Sequence, residues 1–198
     1  MKQDELRQAL IDGAIHVIAQ NGFDKATTKA ISNATGINEV YIYRLLGSKE
    51  KVFEAAFEYL DKQLVNKAML HIDVMYIPEM DYETRCRIYF LAIWRFLIGN
   101  RDEILMYVRY YYSQYFKKHS AVAHELRYRP LIDKFGDAFR DEANTWLILN
   151  HILNVMLDFA VKVHNDEMPN EDDYTEHVFR VIFQSVKQYF RVNEERGS

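Results

Sequence analysis

The chain has 198 residues, of which 49% are hydrophobic and 27% are charged, so it is long and apolar enough to fold and to bury a core. Cys86 is the only cysteine, which excludes a disulfide framework and a multi-cysteine metal site and fits a reducing cytoplasm. The net charge of −4 argues weakly against nucleic acid, but residues 1–53 carry +1 and the remainder carries −5. A near-neutral N-terminal segment can still contact phosphate if its basic residues share one face.

The start of the chain shows no basic segment followed by an apolar run, and no apolar stretch approaches ~20 residues. We therefore expect no signal peptide and no membrane span. Apolar residues recur at spacings of three and four along the whole chain, without sustained alternation of period two. This pattern predicts an all-α fold.

The first 72 residues predict four helices in succession. The first carries a stripe of apolar residues and ends at Asn21-Gly22. The next three are short, short and long, and each begins at a residue whose side chain can cap a helix. These caps are Thr27, for a helix stopped by Gly36; Asn38, for one ending near Gly47; and Ser48, for one ending near Ile72.

The rest of the chain predicts further helices, separated by prolines and glycines. Their approximate ranges are 81–97, the segment "ILMYVRYYYSQYF", a weaker stretch to 139 interrupted by Pro130, 141–165 and 171–191. The predicted organisation is a helix-turn-helix domain over 1–53 and a larger helical domain over 54–198.

The second and third predicted helices have the spacing of a helix-turn-helix motif. Their sequences, "TKAISNATG" and "INEVYIYRLL", meet at a glycine, and four apolar residues would form the wedge between them: Ile31, Ile37, Ile42 and Leu45. The outer face of the third helix is then free to enter the major groove of DNA. This spacing alone is a weak signal, because many all-α proteins contain such corners.

Residues 6–53 resemble the N-terminal domain of the TetR family of bacterial transcription regulators. The matching elements run in order: a first helix ending in "NGF", "TT" before "KAIS", Gly36-Ile37, Tyr43 and "GSKEKVF". Val40 and Tyr41 depart from the family pattern, which has smaller or hydroxyl-bearing residues at these positions. They make the face of the third helix that would contact the base pairs bulkier. The resemblance implies a homodimer that binds double-stranded operator DNA and responds to an unknown small-molecule effector.

The candidate DNA-binding residues lie on these helices and at their starts. Thr27 and Lys49 each sit where a helix N-terminus can bind a phosphate, and Arg44 can reach a guanine edge with two hydrogen bonds. For Tyr43 a half-buried corner position is the alternative, and for Lys49 an ordinary solvated helix start. The full set is Thr27, Lys29, Asn38, Glu39, Val40, Tyr41, Tyr43, Arg44 and Lys49.

The last two predicted helices carry apolar stripes, which the resemblance assigns to pairing with a second copy across a two-fold axis. The alternative is that both stripes face the core of their own domain. The candidate interface residues are Trp146, Leu149, Leu153, Phe179, Ile182, Phe183, Val186 and Phe190.

The segment "YVRYYYSQYF" concentrates five tyrosines in ten residues and is a candidate wall of an aromatic pocket. The candidate ligand-binding residues are Phe90, Trp94, Tyr107, Tyr110, Tyr111, Asn150 and Asn154. The rings can equally fill the core, and the asparagines can lie at the surface or in the dimer interface. Aromatic rings in an acidic domain favour an apolar or cationic ligand.

Catalytic and metal-binding patterns are missing from the sequence. The seven histidines are scattered, and no phosphate loop, nucleophile elbow or paired-acid motif is present. We therefore expect no cofactor, no metal and no enzymatic activity. A buried helical thiol is the better interpretation of Cys86, and a redox thiol is the alternative. The leading hypothesis is a cytoplasmic, ligand-responsive repressor; the alternative is a DNA-binding architectural protein whose larger domain binds another protein.

Overall fold

The computed structural model describes residues 2–191, and within them the chain folds into nine α-helices joined by short 3₁₀ and π-helical turns. The prediction of an all-α fold is confirmed; the closest approach to a strand among these residues is one antiparallel bridge between Phe139 and Phe190. The helices are α1 (Gln3–Lys25), α2 (Thr28–Thr35), α3 (Val40–Leu46), α4 (Lys49–His71), α5 (Tyr82–Gly99), α6 (Arg101–Tyr111), α7 (Ala121–Gly136), α8 (Thr145–His164) and α9 (Asp172–Val186).

The chain divides into two compact units, each made of two segments. The first unit comprises residues 2–64 and 100–127, and the second comprises 65–99 and 128–191. Two of the three divisions therefore fall inside α4 and α7, and the third falls between α5 and α6. The functional boundary after residue 53 reflects the extent of the sequence resemblance, and it stays a prediction.

The head of the first unit is built by α1, α2 and α3 around three fully or almost fully buried isoleucines, Ile31, Ile37 and Ile42. Leu45, the fourth residue predicted for this wedge, is only half-buried. Gly36 ends α2 with φ of 68°, a left-handed conformation that costs glycine little and lets the chain turn sharply into α3.

The close approach of α1 to α2 depends on Gly13, a residue that the sequence analysis did not single out. A Cβ atom at Gly13 would lie 2.2 Å from Cγ2 of Thr35. Thr35 has little freedom to move, because its hydroxyl donates to the Ile31 carbonyl oxygen at 2.9 Å and accepts from the Ile37 N–H at 3.2 Å. The same side chain therefore fixes the packing of α1 and the turn before α3.

We expect Gly13→Ala to destabilise the protein by about 1–3 kcal/mol, because overpacking outweighs the higher helix propensity of alanine. Urea denaturation followed by circular dichroism measures the change. Gly99→Ala is the matched control, since nothing lies within 4 Å of a Cβ atom built at Gly99. Equal stability of the two variants would show that α2 can shift to admit a methyl group.

Aromatic rings fill the core of the first unit behind the head. Phe57 of α4 stacks between Tyr107 and Tyr110 of α6, with ring centroids 5.0 and 4.6 Å away. Phe23, the aromatic residue of the "NGF" sequence, packs against Phe53 at 5.2 Å. The tyrosine-rich segment thus forms much of the surface on which α1 and α4 rest.

A buried carboxylate joins three helices in the same unit. Asp61 of α4 has no exposed surface, and it accepts hydrogen bonds from the Tyr107 hydroxyl of α6 at 3.1 Å and from His124 Nδ1 of α7 at 3.0 Å. Arg127, one turn further along α7, pairs with its other oxygen. Because an unpaired charge inside a protein is strongly unfavourable, this set holds α4, α6 and α7 in one arrangement.

The second unit is centred on α5, α8 and α9, which contact one another. Phe90 and Trp94 of α5 stack at 5.7 Å, and Phe90 also packs against Phe179 of α9 at 5.5 Å. The indole N–H of Trp94 donates to Thr175 Oγ1 at 3.2 Å, so a buried polar group has its partner.

Both C-terminal helices are shorter than predicted. α8 begins at Thr145 and not near residue 141, because the side chain of Asn144 accepts a hydrogen bond from the Leu147 N–H at 3.0 Å and caps the helix. α9 ends at Val186, and the chain then pairs with the segment before α8: the Arg191 N–H donates to the Ala138 carbonyl oxygen at 3.1 Å.

Within the described residues one helix, α8, is long and apolar enough to cross a membrane by length and composition, with a mean hydropathy of 1.4. The expectation that no such stretch is present does not hold for α8. Composition alone is weak evidence of a span, and Asp158 and Lys162 form an exposed ion pair on this helix. Only 22% of the apolar window is buried, so α8 offers apolar surface that this chain leaves uncovered.

Candidate nucleic-acid interface

The outer face of α3 is exposed and combines apolar, aromatic and basic side chains. Successive residues of an α-helix lie about 100° apart around its axis. Since Ile42 is fully buried, Val40 and Arg44 lie at the centre of the opposite, exposed face. Tyr41 and Tyr43 flank them on either side, with 37% and 55% of their surface exposed. The four side chains on this face therefore lie at the surface and outside the core.

The helix starts next to this face are held by side-chain caps. The Thr27 hydroxyl accepts from the Ala30 N–H at 3.0 Å, which leaves its own proton to donate to a phosphate oxygen at the N-terminus of α2. The Asn38 side-chain oxygen accepts from the Val40 N–H at 2.9 Å, which leaves the amide N–H groups as donors. Both side chains are exposed, so each combines a structural role with the capacity to contact DNA.

The start of α4 is more complicated than predicted. Lys49 is half-buried, with its Nζ 5.7 Å from the centroid of the Phe53 ring. The Glu50 carboxylate occupies the helix N-terminus, where its own backbone N–H and the Ser48 hydroxyl lower its pKa. A phosphate at this position would meet the Lys49 ammonium next to the ionised Glu50 carboxylate. The carboxylate would repel the phosphate, and the Lys49 charge would offset part of that repulsion.

All nine candidate DNA-binding residues lie in the first unit, and the structure leaves none of them fully buried. Tyr43 is exposed, which disagrees with the half-buried corner position considered as its alternative. Lys29, Glu39 and Arg44 are exposed as well. Their contacts with DNA stay predictions.

The candidate ligand-binding residues are divided between the two units. Tyr107, Tyr110 and Tyr111 belong to the first unit, and Phe90, Trp94, Asn150 and Asn154 to the second. Four of the rings are almost completely buried in stacked cores: Phe90, Trp94, Tyr107 and Tyr110. The Asn154 amide donates to the Asn150 side-chain oxygen at 2.6 Å, so these two residues interact with each other. A ligand role for the seven residues is untested.

The candidate dimer residues fall into two groups. Four of them are buried within the second unit of a single chain and fill its own core: Phe179, Ile182, Val186 and Phe190. The other four are half-buried: Trp146, Leu149, Leu153 and Phe183. Only the second group offers surface to a partner, because a side chain already enclosed by its own unit has little left to bury.

Other residues of the same two helices are exposed as well. Leu147 is 65% exposed and Val181 is 57% exposed. One turn further along their helices, His151 and Ser185 meet at 3.0 Å; the Ser185 hydroxyl donates to the Ile182 carbonyl oxygen, so His151 Nε2 donates to Ser185. We call Leu147, His151, Val181 and Ser185 the α8–α9 outer face.

A cleft in the first unit was not predicted. It is lined by three carboxylates, a histidine, a tyrosine and an isoleucine: Asp12, Asp102, Glu103, His16, Tyr59 and Ile15. Asp102 accepts from Gln20 at 2.9 Å and contacts His16 Nδ1 at 2.7 Å, which joins α1 to α6. Its residues come from three separate helices, so no local pattern in the sequence indicates it.

Cys86 does not have the environment of a reactive thiol. Burial raises its pKa to about 12, and the neighbouring Arg85 charge offsets only part of this effect. The thiol therefore stays protonated at neutral pH and lacks the thiolate that redox chemistry requires.

Comparison with known proteins finds a family model that matches the N-terminal part of the chain and solved structures with a similar fold. The model of bacterial regulatory proteins of the tetR family matches residues 10–56. The fold resembles a TetR family transcription regulator from Marinobacter aquaeolei, with a TM-score of 0.73 and 16% identity over 93% of this chain and 98% of that one. A regulator described as a putative tetR family member from Shewanella gives a TM-score of 0.70 and 14% identity over the same shares. Residues 10–56 therefore match the tetR family in sequence, and the solved structures show a similar fold.

Among curated relatives the similarity in sequence is confined to part of the chain. Nucleoid occlusion factor SlmA from Haemophilus influenzae is 31% identical over 64 residues, which are 32% of this chain and 29% of that protein. The SlmA protein of Salmonella paratyphi A is 27% identical over 101 residues, which are 51% and 46% of the two chains. This chain therefore spans less than half the length of the curated relatives it matches.

Proposed function

We propose that this protein is a TetR-family DNA-binding transcription regulator that acts as a homodimer on double-stranded operator DNA in the cytoplasm. The observation that supports this most directly is the exposed outer face of α3, where Arg44 stands opposite the buried Ile42. A guanidinium in the major groove can donate two hydrogen bonds to one guanine. The exposed caps of α2 and α3 add donors for phosphate.

Selection of bound DNA from a random pool tests this proposal. We expect the full-length protein to enrich one sequence, and the same sequence to be protected from nuclease cleavage. An unenriched pool at physiological salt, after repeated rounds with folded protein, would contradict DNA binding.

Positioning and reading residues should give separable effects on the selected site. We expect Tyr43→Phe and Lys49→Ala to weaken binding to all sequences alike, and Lys49→Ala to lower the slope of log affinity against log salt by roughly one unit. Arg44→Ala should instead relax the preference at particular base pairs, by ~1–3 kcal/mol for a lost bidentate contact. Fluorescence anisotropy titrations at several salt concentrations measure both quantities.

The assignment of these roles fails in one case. A Lys49→Ala protein that changes its sequence preference while keeping the original salt slope would show that Lys49 reads bases. Lys62→Ala is the matched control, because Lys62 lies on the same helix at an exposed position outside the candidate interface.

We further propose that the protein is a repressor released from its operator by a small apolar or cationic molecule. Four of the candidate pocket rings are packed in cores. The acidic cleft around Glu103 is therefore better support for a cationic effector than the tyrosine rings are. An effector of this kind need only distinguish two conformations by the usual allosteric coupling of ~1–3 kcal/mol.

Reciprocity provides the test of this switch. A ligand that weakens DNA binding ~5–150-fold must bind the operator complex more weakly by the same factor. Calorimetric titration of cationic and apolar compounds, with and without operator, measures it, and Glu103→Gln should reduce the affinity for cations. Equal ligand affinity in the two titrations would contradict release by that ligand.

The second candidate function is a DNA-binding architectural protein whose C-terminal part binds another protein. Two observations favour it: the relatives named nucleoid occlusion factors, and the tight packing of the predicted pocket rings. DNA binding that no compound in the titrations alters would favour this function over the ligand-responsive repressor.

A further inference from the structure

The centre of the exposed face of α3 holds an aliphatic side chain that makes no contribution to the core. Val40 is 64% exposed and lies opposite the fully buried Ile42. A valine in the first turn of a short helix brings no hydrogen-bonding group, and its branched side chain lowers the helix propensity slightly. Single exposed apolar residues are common on protein surfaces, so the position of Val40 matters more than its exposure.

Two constraints fix the orientation of the Val40 side chain. Its backbone N–H donates to the Asn38 side chain at 2.9 Å, which sets the start of the helix. A β-branched side chain on a helix is largely restricted to one rotamer. The two Val40 methyl groups therefore lie on the exposed face as a rigid apolar surface, one helical turn before Arg44 in the sequence.

An apolar surface in the major groove has one kind of specific partner. The base edges there present hydrogen-bond donors and acceptors, except for the C5 methyl group of thymine. Cytosine carries no such group until it is methylated at the same carbon. An aliphatic side chain at the centre of a reading helix can therefore distinguish a methylated pyrimidine from an unmethylated one.

We propose that Val40 reads the C5 methyl group of one pyrimidine in each half-site, so that the affinity of the protein for DNA responds to cytosine methylation. The inference rests on the proposed DNA binding by α3. Val40 and Arg44 are neighbours along the helix, so the methyl group and the guanine that Arg44 contacts lie in the same short stretch of base pairs. Thymine and 5-methylcytosine present the same group at this position.

Removing single methyl groups from the DNA tests the proposal without altering the protein. Each thymine of the selected operator is replaced in turn by deoxyuridine, which differs only in the missing C5 methyl group. At one thymine in each half-site we expect the affinity to fall roughly fourfold, and about 15-fold when both half-sites are changed, from the usual gain on burying a methyl-sized group.

A converse substitution tests the response to methylation. Replacing that T·A pair by C·G should weaken binding, and 5-methylcytosine in the same C·G pair should recover roughly the same fourfold. Val40→Ala should bind thymine- and uracil-containing operators equally. Val122→Ala is the matched control, since Val122 is a comparably exposed valine on α7 and should leave the thymine-to-uracil ratio as it is in the unaltered protein.

The outcomes separate this inference from the function on which it rests. An operator that is selected but is indifferent to uracil at every thymine overturns the role of Val40 and leaves DNA binding intact. A thymine-to-uracil ratio that survives in a folded Val40→Ala protein also overturns it. Failure to select any DNA sequence overturns both proposals.

Discussion

Replacement of Asp61 by asparagine is expected to destabilise the protein by about 3–5 kcal/mol, because it removes the only carboxylate that the described residues offer to the guanidinium of Arg127. Asp61 is completely buried, and the side chain of Arg127 is only 15% exposed. Asparagine keeps the shape of the side chain and can still accept from Tyr107, but it leaves the positive charge without a negative partner. Guanidinium chloride denaturation of the two proteins measures the difference.

Two further variants make this prediction specific. Asp73→Asn is the control, because Asp73 pairs with Lys134 while 88% of its side chain is exposed, and exposed pairs contribute little. Adding Arg127→Met to Asp61→Asn removes the unpaired charge and should recover part of the lost stability. If Asp61→Asn is no less stable than Asp73→Asn, the buried network does not hold α4, α6 and α7 together.

Placing a charge on the α8–α9 outer face should produce the largest change in DNA affinity, because we propose that two copies of the protein pair through this face. Leu147→Glu puts a carboxylate in that interface, where a second copy would bury it, so we expect the protein to become monomeric. Each protomer then binds its half-site alone, and the affinity for a two-fold operator should fall by about 10²- to 10⁴-fold, the usual gain from bivalent binding. Analytical ultracentrifugation and anisotropy titration measure the two effects.

The control for this experiment is the same change elsewhere on the chain. Val122→Glu introduces the same charge at an exposed valine of α7, outside the outer face, and should leave both the mass and the operator affinity unchanged. A Leu147→Glu protein that remains a dimer would place the interface on another surface. A monomer that keeps full operator affinity would contradict the need for pairing.

The local features of the head were predictable from the sequence because each depends on neighbouring residues. Thr27 caps α2, Gly36 ends it in a left-handed conformation, and the Ser48 hydroxyl accepts from the Lys51 N–H at the start of α4. A cap or a turn is specified within four residues, so its chemistry can be read directly. The buried Ile31 and Ile42 followed from helical periodicity in the same way.

The partner of an apolar stripe could not be predicted, because periodicity shows that one side of a helix is apolar but not what covers it. The stripe of α9 through Phe179, Ile182 and Val186 proved to fill the core of its own unit. Leu147 and Val181, the exposed large apolar residues of α8 and α9, were not selected by sequence reasoning.

Contacts between segments that are distant along the chain also could not be predicted from the sequence. Asp61 and Arg127 are 66 residues apart, and neither belongs to a recognisable motif. The close packing at Gly13 depends on where Thr35 is held by its own hydrogen bonds. Such pairs are set by the tertiary fold, and a single sequence carries no local sign of them.

The symmetry of the protected DNA tests the central claim, that two copies of α3 read one operator. Hydroxyl-radical footprinting of the unaltered protein on the selected site measures it, together with the number of protomers bound per DNA molecule. We expect two protomers and two equivalent half-sites whose centres are about 34–36 Å apart, or a multiple of this distance. Protection of one isolated half-site by a single protomer at physiological salt would contradict the account.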